Sequence, residues 1–200
     1  MHKTIAVIGA GSWGTALAKT LSDKGHDVRL WSWLEPHSRA IEADRENKEF
    51  LPGFKLGERL RATSSLESAL EGVELVVSAL PTHVLRGVLE KAVPLVPKDA
   101  PILSVSKGIE TETLKMVSQI FEDVMPRERL SSVCYLGGPS FAREVAACMP
   151  TAVVIACADH DVAVRWQEAL STDRLRAYTT DDVVGIELGG ALKNVIAIAA

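Results

Sequence analysis

The sequence IAVIGAGSWGTALA, residues 5–18, decides the fold of this chain. Its first four residues, Ile5 to Ile8, are apolar and predict a buried strand. The run from Thr15 to Lys24 predicts a helix that ends at Gly25. Between strand and helix lie three glycines with the spacing G-x-G-x-x-G, namely Gly9, Gly11 and Gly14. A strand, this glycine loop and a helix, followed by a second strand, form the arrangement that binds a dinucleotide.

The three glycines are expected to have different roles in such a loop. Gly9 allows a tight turn, Gly11 lets the backbone approach a pyrophosphate, and Gly14 lets the helix pack closely against the strand. Ser12 and Trp13 add backbone N–H groups at the helix N-terminus, which carries a partial positive charge. We therefore expect the pyrophosphate of the cofactor to lie over the start of the first helix.

The composition limits the class of protein. The 200 residues are 47% hydrophobic and 24% charged, as in ordinary globular proteins. With 22 basic and 26 acidic residues, the net charge is -4, so we expect no nucleic-acid partner. The apolar runs are too short for a membrane span, and the first residues do not resemble a signal peptide. The three cysteines match no metal spacing, so we predict reduced thiols, no metal site and a cytoplasmic location: Cys134, Cys148 and Cys157.

Strand-like and helical patterns alternate along the rest of the chain. Further strands are predicted at Val28–Trp31, Leu60–Thr63, Leu75–Leu80, Ile102–Val105, Val133–Leu136, Ala152–Cys157 and Leu175–Tyr178. Further helices are predicted at Ser65–Leu70, Val84–Val93, Thr113–Val124 and Val162–Leu170. The charged stretch Glu42–Glu49 is interpreted as irregular. This alternation predicts an α/β fold with a Rossmann-type, doubly wound and mainly parallel sheet.

The last segment has a different character. Thr179 and Asp182 have the spacing of a capping box, and Val183–Ala200 is apolar nearly all round, which predicts a buried helix. A buried helix needs a partner surface. We therefore expect residues 1–180 to form the dinucleotide-binding domain, and residues 181–200 to be the first helix of a truncated, all-helical C-terminal domain that binds substrate.

The residues after the second strand leave the choice between NAD and NADP open. NAD sites usually carry an acidic residue there, and NADP sites often an arginine. This chain has Ser32 and Trp33, and Trp33 is equally compatible with lying against an adenine and with packing. Glu35 and Arg39 lie further along and favour neither cofactor.

Ligands in such sheets bind outside the carboxyl ends of the strands. Pro81 lies at one such end and is a candidate cofactor contact. Lys107 lies at another, where it is either a ligand or an ordinary surface lysine. Gly138 and Ser140 lie at a predicted helix start, where they either bind an anion through backbone N–H groups or cap the helix.

Lys193 is the most informative candidate. It lies inside the apolar last helix, next to Leu192, and lysines are rarely buried without a partner or a task. Gly190 lies one turn earlier and would leave room for a ligand. A buried Lys193 would be suited to general acid–base catalysis. The alternative is that its ammonium group extends to solvent.

Together these segments resemble the bacterial NAD(P)-dependent glycerol-3-phosphate dehydrogenases. The matching segments follow the family's order along the whole chain: Gly9–Ala18, Ser106–Glu110, Gly138–Glu144, Pro150–Ala152 and Gly185–Ala200. The resemblance implies reversible hydride transfer between NAD(P)H and dihydroxyacetone phosphate, which gives sn-glycerol 3-phosphate for phospholipid synthesis. A homodimer is common in the family.

The resemblance also implies site residues. Ser12, Trp13, Lys107 and Ala142 would contact the cofactor, and Trp33 stands where the family often has a basic residue. The substrate would contact Lys107, Gly138, Ser140, Lys193 and Asn194. Lys193 would exchange a proton with the C2 oxygen, and Asn194 would orient it. Because the family's second domain supplies further substrate contacts, we expect this chain to be poorly active alone.

Two other functions remain open. Another β-hydroxyacid-type dehydrogenase would also place a lysine–asparagine pair on this helix. A non-catalytic dinucleotide sensor would need Lys107 and Lys193 only for packing.

Overall fold

A computed structural model describes residues 2–199. Its strands are β1 (Thr4–Ile8), β2 (Asp27–Trp31), β3 (Leu60–Thr63), β4 (Leu75–Ser78), β5 (Ile102–Ser104), β6 (Val133–Gly137), β7 (Thr151–Cys157) and β8 (Leu175–Thr180). They form one eight-stranded sheet in the order β3-β2-β1-β4-β5-β6-β7-β8. Every neighbouring pair is parallel except β6 and β7, which are antiparallel. The prediction of a mainly parallel sheet is confirmed.

The helices connect these strands. They are α1 (Ser12–Asp23), α2 (Glu35–Asp44), α3 (Leu66–Leu70), α4 (Thr82–Ala92), α5 (Val117–Val124), α6 (Ala142–Ala146), α7 (His160–Leu170) and α8 (Val183–Ala199). Among residues 2–199, no helix combines the length and apolarity that a membrane span requires.

The sheet carries an apolar cluster on each face because successive strand residues point to opposite sides. In β1, Ile5 and Val7 belong to one cluster, and Ala6 and Ile8 belong to the other. Helices α1 and α7 cover the first face, while α3, α4 and α5 cover the second. The doubly wound arrangement follows from this two-sided burial.

Two predicted elements differ from the structure. The first three residues of the charged stretch interpreted as irregular, residues 42–44, belong to a helix, α2. This helix was missed because it buries only Ser38 and Ile41 and so shows little apolar periodicity. The helix predicted from Thr113 begins only at Val117. Its first residues instead form a tight reversal, in which Leu114 has a φ of 57°. The N–H of Glu110 donates to the Lys115 carbonyl across that reversal at 2.9 Å.

The last helix forms as predicted, but its cap and its burial differ. Strand β8 extends to Thr180, and the N–H of Gly185 donates to the Asp182 carboxylate at 2.8 Å, so Asp182 provides the cap rather than Thr179. The prediction that the helix is buried is wrong for the described chain. Only its first turns pack on the sheet, through Val183 and Ile186. The later apolar side chains are exposed, up to 87% at Ile198.

Candidate functional site

The glycine loop has the tight geometry that the sequence predicted. Gly9 has a φ of 115°, and a Cβ there would overlap the carbonyl oxygen of Ala79 on the neighbouring segment. A Cβ on Gly14 would overlap the carbonyl oxygen of Gly9. The loop therefore approaches the end of β4 at Gly9, and α1 approaches the loop at Gly14, so closely that only glycine fits at either position.

Gly11 has the opposite surroundings. A Cβ built on it would meet no heavy atom within 4 Å, so the loop forms an open cradle at this point. Gly11 is the N-cap of α1 and makes no side-chain capping bond, and the first helical bond runs from the N–H of Thr15 to the Gly11 carbonyl at 2.9 Å. The backbone N–H groups of Ser12 and Trp13 therefore precede the helical ladder. A diphosphate fits this cradle, because its charge would meet uncapped N–H groups at a helix N-terminus.

The cradle lies where the sheet changes direction. Strand β1 pairs with β2 on one side and with β4 on the other, so the order reverses at β1. Open α/β sheets bind ligands at such a switch point, outside the carboxyl ends of the strands. Pro81 follows β4 at this end, where it is exposed and forms the N-cap of α4.

The two tryptophans near the cradle have different surroundings. Trp13 is partly buried against the core, and its indole Nε1 is buried without a hydrogen-bond partner in the described chain. Trp33 is 74% exposed, so it has no packing role in the core. An exposed ring at the end of β2 is available to a ligand that follows the sheet edge.

Sequence reasoning missed a polar network beside this position. His37 Nδ1 lies 2.8 Å from Ser32 Oγ, and His37 Nε2 lies 3.0 Å from Asn47 Oδ1. The Asn47 amide nitrogen donates to the Ala10 carbonyl at 2.8 Å. This chain of contacts joins the end of β2 to the glycine loop. The one feature of the sequence that could have indicated this network is that position 32, after β2, holds a serine instead of an acidic residue.

Lys107 lies at the exit of β5, three residues after Ser104, and its backbone is held by the neighbouring helix. The Thr82 hydroxyl donates to the Lys107 carbonyl at 2.8 Å. The Lys107 stem lies against Gly190 of α8, where a Cβ would be 3.6 Å from Lys107 Cγ. Although the residue as a whole is exposed, partial burial of its amine lowers the pKa of Lys107, and the nearby charge of Lys193 lowers it further.

A charge network holds the loop that follows Lys107. Arg86 of α4 donates two hydrogen bonds to the Glu110 carboxylate, at 3.0 and 2.8 Å. The same guanidinium lies 3.0 Å from Asp123 of α5, which also pairs with Lys115. Hydrogen bonds from Arg86 and from the Thr113 hydroxyl lower the pKa of Glu110. The loop is thereby fixed to two helices.

Lys193 differs from the prediction in its burial. It is exposed, because the part of α8 that carries it has left the sheet. Its ammonium nitrogen lies 5.7 Å from the centroid of the Phe141 ring, within the range of a cation–π contact. The structure nevertheless brings Lys107 to the helix that carries Lys193, since the Lys107 side chain lies against Gly190, one turn earlier in α8. Asn194 lies in α8, but its side chain lies outside the described part of the chain.

The third predicted segment follows β6. Gly138 has a φ of 112°, and a Cβ there would lie 3.1 Å from the Ala152 carbonyl oxygen. The predicted helix start at Gly138 and Ser140 is too early, because α6 begins at Ala142 with Phe141 as its N-cap. Ser140 is therefore not the cap. Ala142 packs partly buried against Ala16 and its neighbours, which places it beside the start of α1.

Helix α8 is docked on the sheet next to these segments. A Cβ on Gly137 would lie 2.8 Å from Ile186 Cγ2, so the end of β6 admits α8 only because it is glycine. Glu187 accepts a hydrogen bond from the Ser118 N–H at 2.8 Å, and burial raises the pKa of Glu187. These contacts fix the start of the helix that carries Lys193.

The comparisons with known proteins identify the family of this chain. A family model described as the NAD-dependent glycerol-3-phosphate dehydrogenase N-terminus matches residues 4–163. Glycerol-3-phosphate dehydrogenase [NAD(P)+] of Citrifermentans bemidjiense is 51% identical over 200 residues, which cover 100% of this chain and 60% of that protein. The protein of the same name from Leptospira biflexa is 47% identical over 196 residues, covering 98% and 59% of the two chains.

A solved structure leads to the same family. The crystal structure of glycerol-3-phosphate dehydrogenase from Coxiella burnetii superposes with a TM-score of 0.89 at 36% identity, covering 99% of this chain and 60% of that one. The chain thus spans about 60% of the length of the relatives that it matches. The resemblance inferred from the sequence motifs is confirmed.

Proposed function

The chain belongs to the NAD-dependent glycerol-3-phosphate dehydrogenase family, and from that premise we propose that it carries the cofactor-binding part of an enzyme that interconverts dihydroxyacetone phosphate and sn-glycerol 3-phosphate. Support comes from one observation above all. Lys107, at the exit of β5, packs against Gly190 of α8, which lies one helical turn before Lys193. Two ammonium groups beside a dinucleotide cradle favour a small phosphorylated substrate.

Each candidate residue has a proposed role that follows from its position in the site. The backbone N–H groups of Ser12 and Trp13 would hold the pyrophosphate over Gly11. When bound, the nicotinamide cofactor supplies the hydride that reduces the ketone carbon. Lys193 donates a proton to the C2 oxygen in that direction and removes it in reverse, as a general acid–base. Lys107 attracts the anionic substrate, and the backbone after Gly138 lines the same edge of the sheet.

Because Lys193 is exposed, the proposed proton transfer requires another surface to cover it. A general acid works best when solvent is excluded, and the exposed apolar side chains around Lys193, such as Leu192 and Val195, are suited to a covering surface. We propose that residues 1–180 form the dinucleotide-binding domain and that α8 begins a helical, substrate-binding domain. Under this proposal the 200-residue chain binds the cofactor but turns over poorly. Efficient turnover by the isolated chain would contradict it.

The wider setting is proposed from the family alone. The enzyme would act in the cytoplasm as a homodimer and would supply the glycerol phosphate from which phospholipids are built.

The test uses a chain extended beyond Ala200 and measures oxidation of NADH and of NADPH with three substrates. Dihydroxyacetone phosphate is expected to be reduced, while unphosphorylated dihydroxyacetone and a β-keto acid are not. A preference for the β-keto acid would instead indicate a β-hydroxyacid-type dehydrogenase. Cofactor binding without any turnover would indicate a dinucleotide sensor.

A further inference from the structure

A chain of hydrogen bonds links the end of β2 to the glycine loop. The donor and the acceptor of each bond in this chain can be assigned. The chain runs from Ser32 through His37 and Asn47 to the Ala10 carbonyl. Asn47 is 1% exposed, Ser32 is 4% exposed and His37 is partly buried, so solvent competes little for these bonds. Each group must therefore find its donor or acceptor within the network.

The orientation of the Asn47 amide follows from two backbone groups. The Ala10 carbonyl oxygen can only accept a hydrogen bond, so the amide nitrogen of Asn47 faces it at 2.8 Å. The Phe50 N–H can only donate, and it lies 3.2 Å from Asn47 Oδ1. The amide nitrogen also donates to the Thr15 hydroxyl at 2.8 Å. Asn47 therefore presents its carbonyl oxygen, an acceptor, to His37.

This orientation sets the tautomer of His37. Because Asn47 Oδ1 accepts, His37 Nε2 carries the proton and donates across 3.0 Å. In a neutral imidazole the other nitrogen, Nδ1, is then an acceptor. Ser32 Oγ lies 2.8 Å from Nδ1, so the Ser32 hydroxyl donates its only proton to His37. What remains available on Ser32 is the lone-pair capacity of its oxygen.

Ser32 stands where dinucleotide-binding sheets recognise the ribose. It is the first residue after β2, and its backbone N–H donates to the Thr63 carbonyl at 2.9 Å, which keeps it in line with the sheet. At this position an acidic residue commonly accepts a hydrogen bond from the ribose 2′-hydroxyl. A serine whose proton is already committed can do the same, since its oxygen acts only as an acceptor.

The charges around this position also disfavour a phosphate. Glu35 lies in the first turn of α2, where a carboxylate already complements the helix dipole, and it pairs with Arg39. The Glu49 carboxylate lies 3.9 Å from His37 Nε2. An incoming 2′-phosphate would thus meet the acceptor oxygen of Ser32 and, beyond His37, the negative charge of Glu49, while Arg39 offsets the charge of Glu35.

We propose that the hydrogen-bonded relay of Ser32, His37 and Asn47 enables the end of β2 to recognise the ribose 2′-hydroxyl, so that this chain prefers NAD(H) to NADP(H). Ser32 is the specificity-determining contact, and His37 and Asn47 are positioning residues that act through it. The inference rests on the proposed dinucleotide binding and adds the choice between the two cofactors.

The test measures dissociation constants of NADH and NADPH for the 200-residue chain by titration calorimetry. The unsubstituted chain is expected to bind NADH about tenfold more tightly or better, the value of one well-placed hydrogen bond. Ser32→Ala should weaken NADH binding about tenfold and leave NADPH binding unweakened. Ser38→Ala removes another buried serine of the same region, whose hydroxyl bonds to the Glu35 carbonyl, and should leave the NADH to NADPH ratio unchanged.

His37→Phe separates positioning from simple support of the loop. It removes the acceptor for the Ser32 proton, which becomes free to donate to a 2′-phosphate, so the ratio should shift toward NADPH by about tenfold. If both affinities instead fall equally in Ser32→Ala and in His37→Phe, the relay does not read the ribose and the inference is overturned. If the unsubstituted chain binds neither dinucleotide, the proposed function itself fails.

An independent measurement needs no variant and no cofactor. Nitrogen-15 NMR of the histidine rings reports which nitrogen of His37 carries the proton. The relay requires the Nε2–H tautomer in the free chain, and an Nδ1–H tautomer would overturn it.

Discussion

The side chain of Lys107 lies across Gly190, with its Cγ 3.6 Å from the point where a Cβ on that glycine would lie. This contact brings the exit of β5 under the helix that carries Lys193. In this arrangement, burial and the nearby charge of Lys193 both lower the pKa of Lys107. The candidate site is thus assembled from segments that are distant along the chain.

Replacing Lys193 by methionine is expected to raise the pKa of Lys107, because one of the two causes of its depression is removed. Burial remains, so the pKa should stay below the ordinary value of 10.5. Carbon-13 NMR titration of the lysine side chains measures this directly. Lys98→Met, at an exposed position before β5, is the matched control and should have no effect. An unchanged pKa of Lys107 in the Lys193→Met variant would show that the two ammonium groups do not share a site.

The lowered pKa of Lys107 also predicts the direction in which stability changes with pH. The unfolded chain holds this proton more tightly than the folded chain does, because burial disfavours the charged form. The contribution of Lys107 to the free energy of unfolding should therefore rise with pH between its lowered pKa and 10.5. Urea unfolding across this window, compared with Lys107→Met, detects the difference. A contribution that falls with pH would contradict the assignment.

Two glycines of the loop should respond differently to alanine. Gly14→Ala is expected to destabilise the fold strongly, because its Cβ would overlap the Gly9 carbonyl oxygen. Gly11→Ala should leave the melting temperature nearly unchanged, since its Cβ meets open space, yet weaken NADH binding by about tenfold or more by occupying the pyrophosphate cradle. Calorimetric melting and NADH titration of both variants measure the contrast. Undiminished NADH binding by Gly11→Ala would place the pyrophosphate elsewhere.

Glu110 should contribute to stability in a pH-dependent way. Its pKa lies below the ordinary value of 4.5, chiefly because of its hydrogen bonds from Arg86. Its contribution is therefore present above pH 4.5 and is lost as pH falls through the lowered pKa. Glu110→Gln should reduce stability at neutral pH and flatten this acid dependence in urea unfolding. Glu112→Gln, at a neighbouring exposed residue, should change neither.

Much of the fold was predictable from the sequence because its strands are buried on both faces. All four residues of β4 are buried, and the first three, Leu75 to Val77, form a continuous apolar run. Helix α2 was not predictable in this way, because it lies on the surface with a mainly polar sequence. Pattern analysis detects burial, and an element that buries two side chains leaves little pattern.

The site was predictable only in part, for a different reason. The glycine loop and Lys107 were found because strand, loop and spacing are local features. Asn47 was missed because its partner Ala10 lies 37 residues earlier, and no short spacing reports such a bond. Lys193 was singled out by its place in the apolar last helix, but its burial was overestimated, since helix composition does not show what covers a helix.

The most direct test of the proposed function is the kcat of Lys193→Met for dihydroxyacetone phosphate reduction, in a chain extended beyond Ala200. The proposal predicts a fall of about 10²–10⁴-fold, the usual contribution of a general acid, with the NADH dissociation constant unchanged. Lys91→Met, at an exposed residue of α4, should retain the unsubstituted kcat. A Lys193→Met enzyme with nearly the unsubstituted kcat would contradict the assignment of Lys193 as the proton donor at this site.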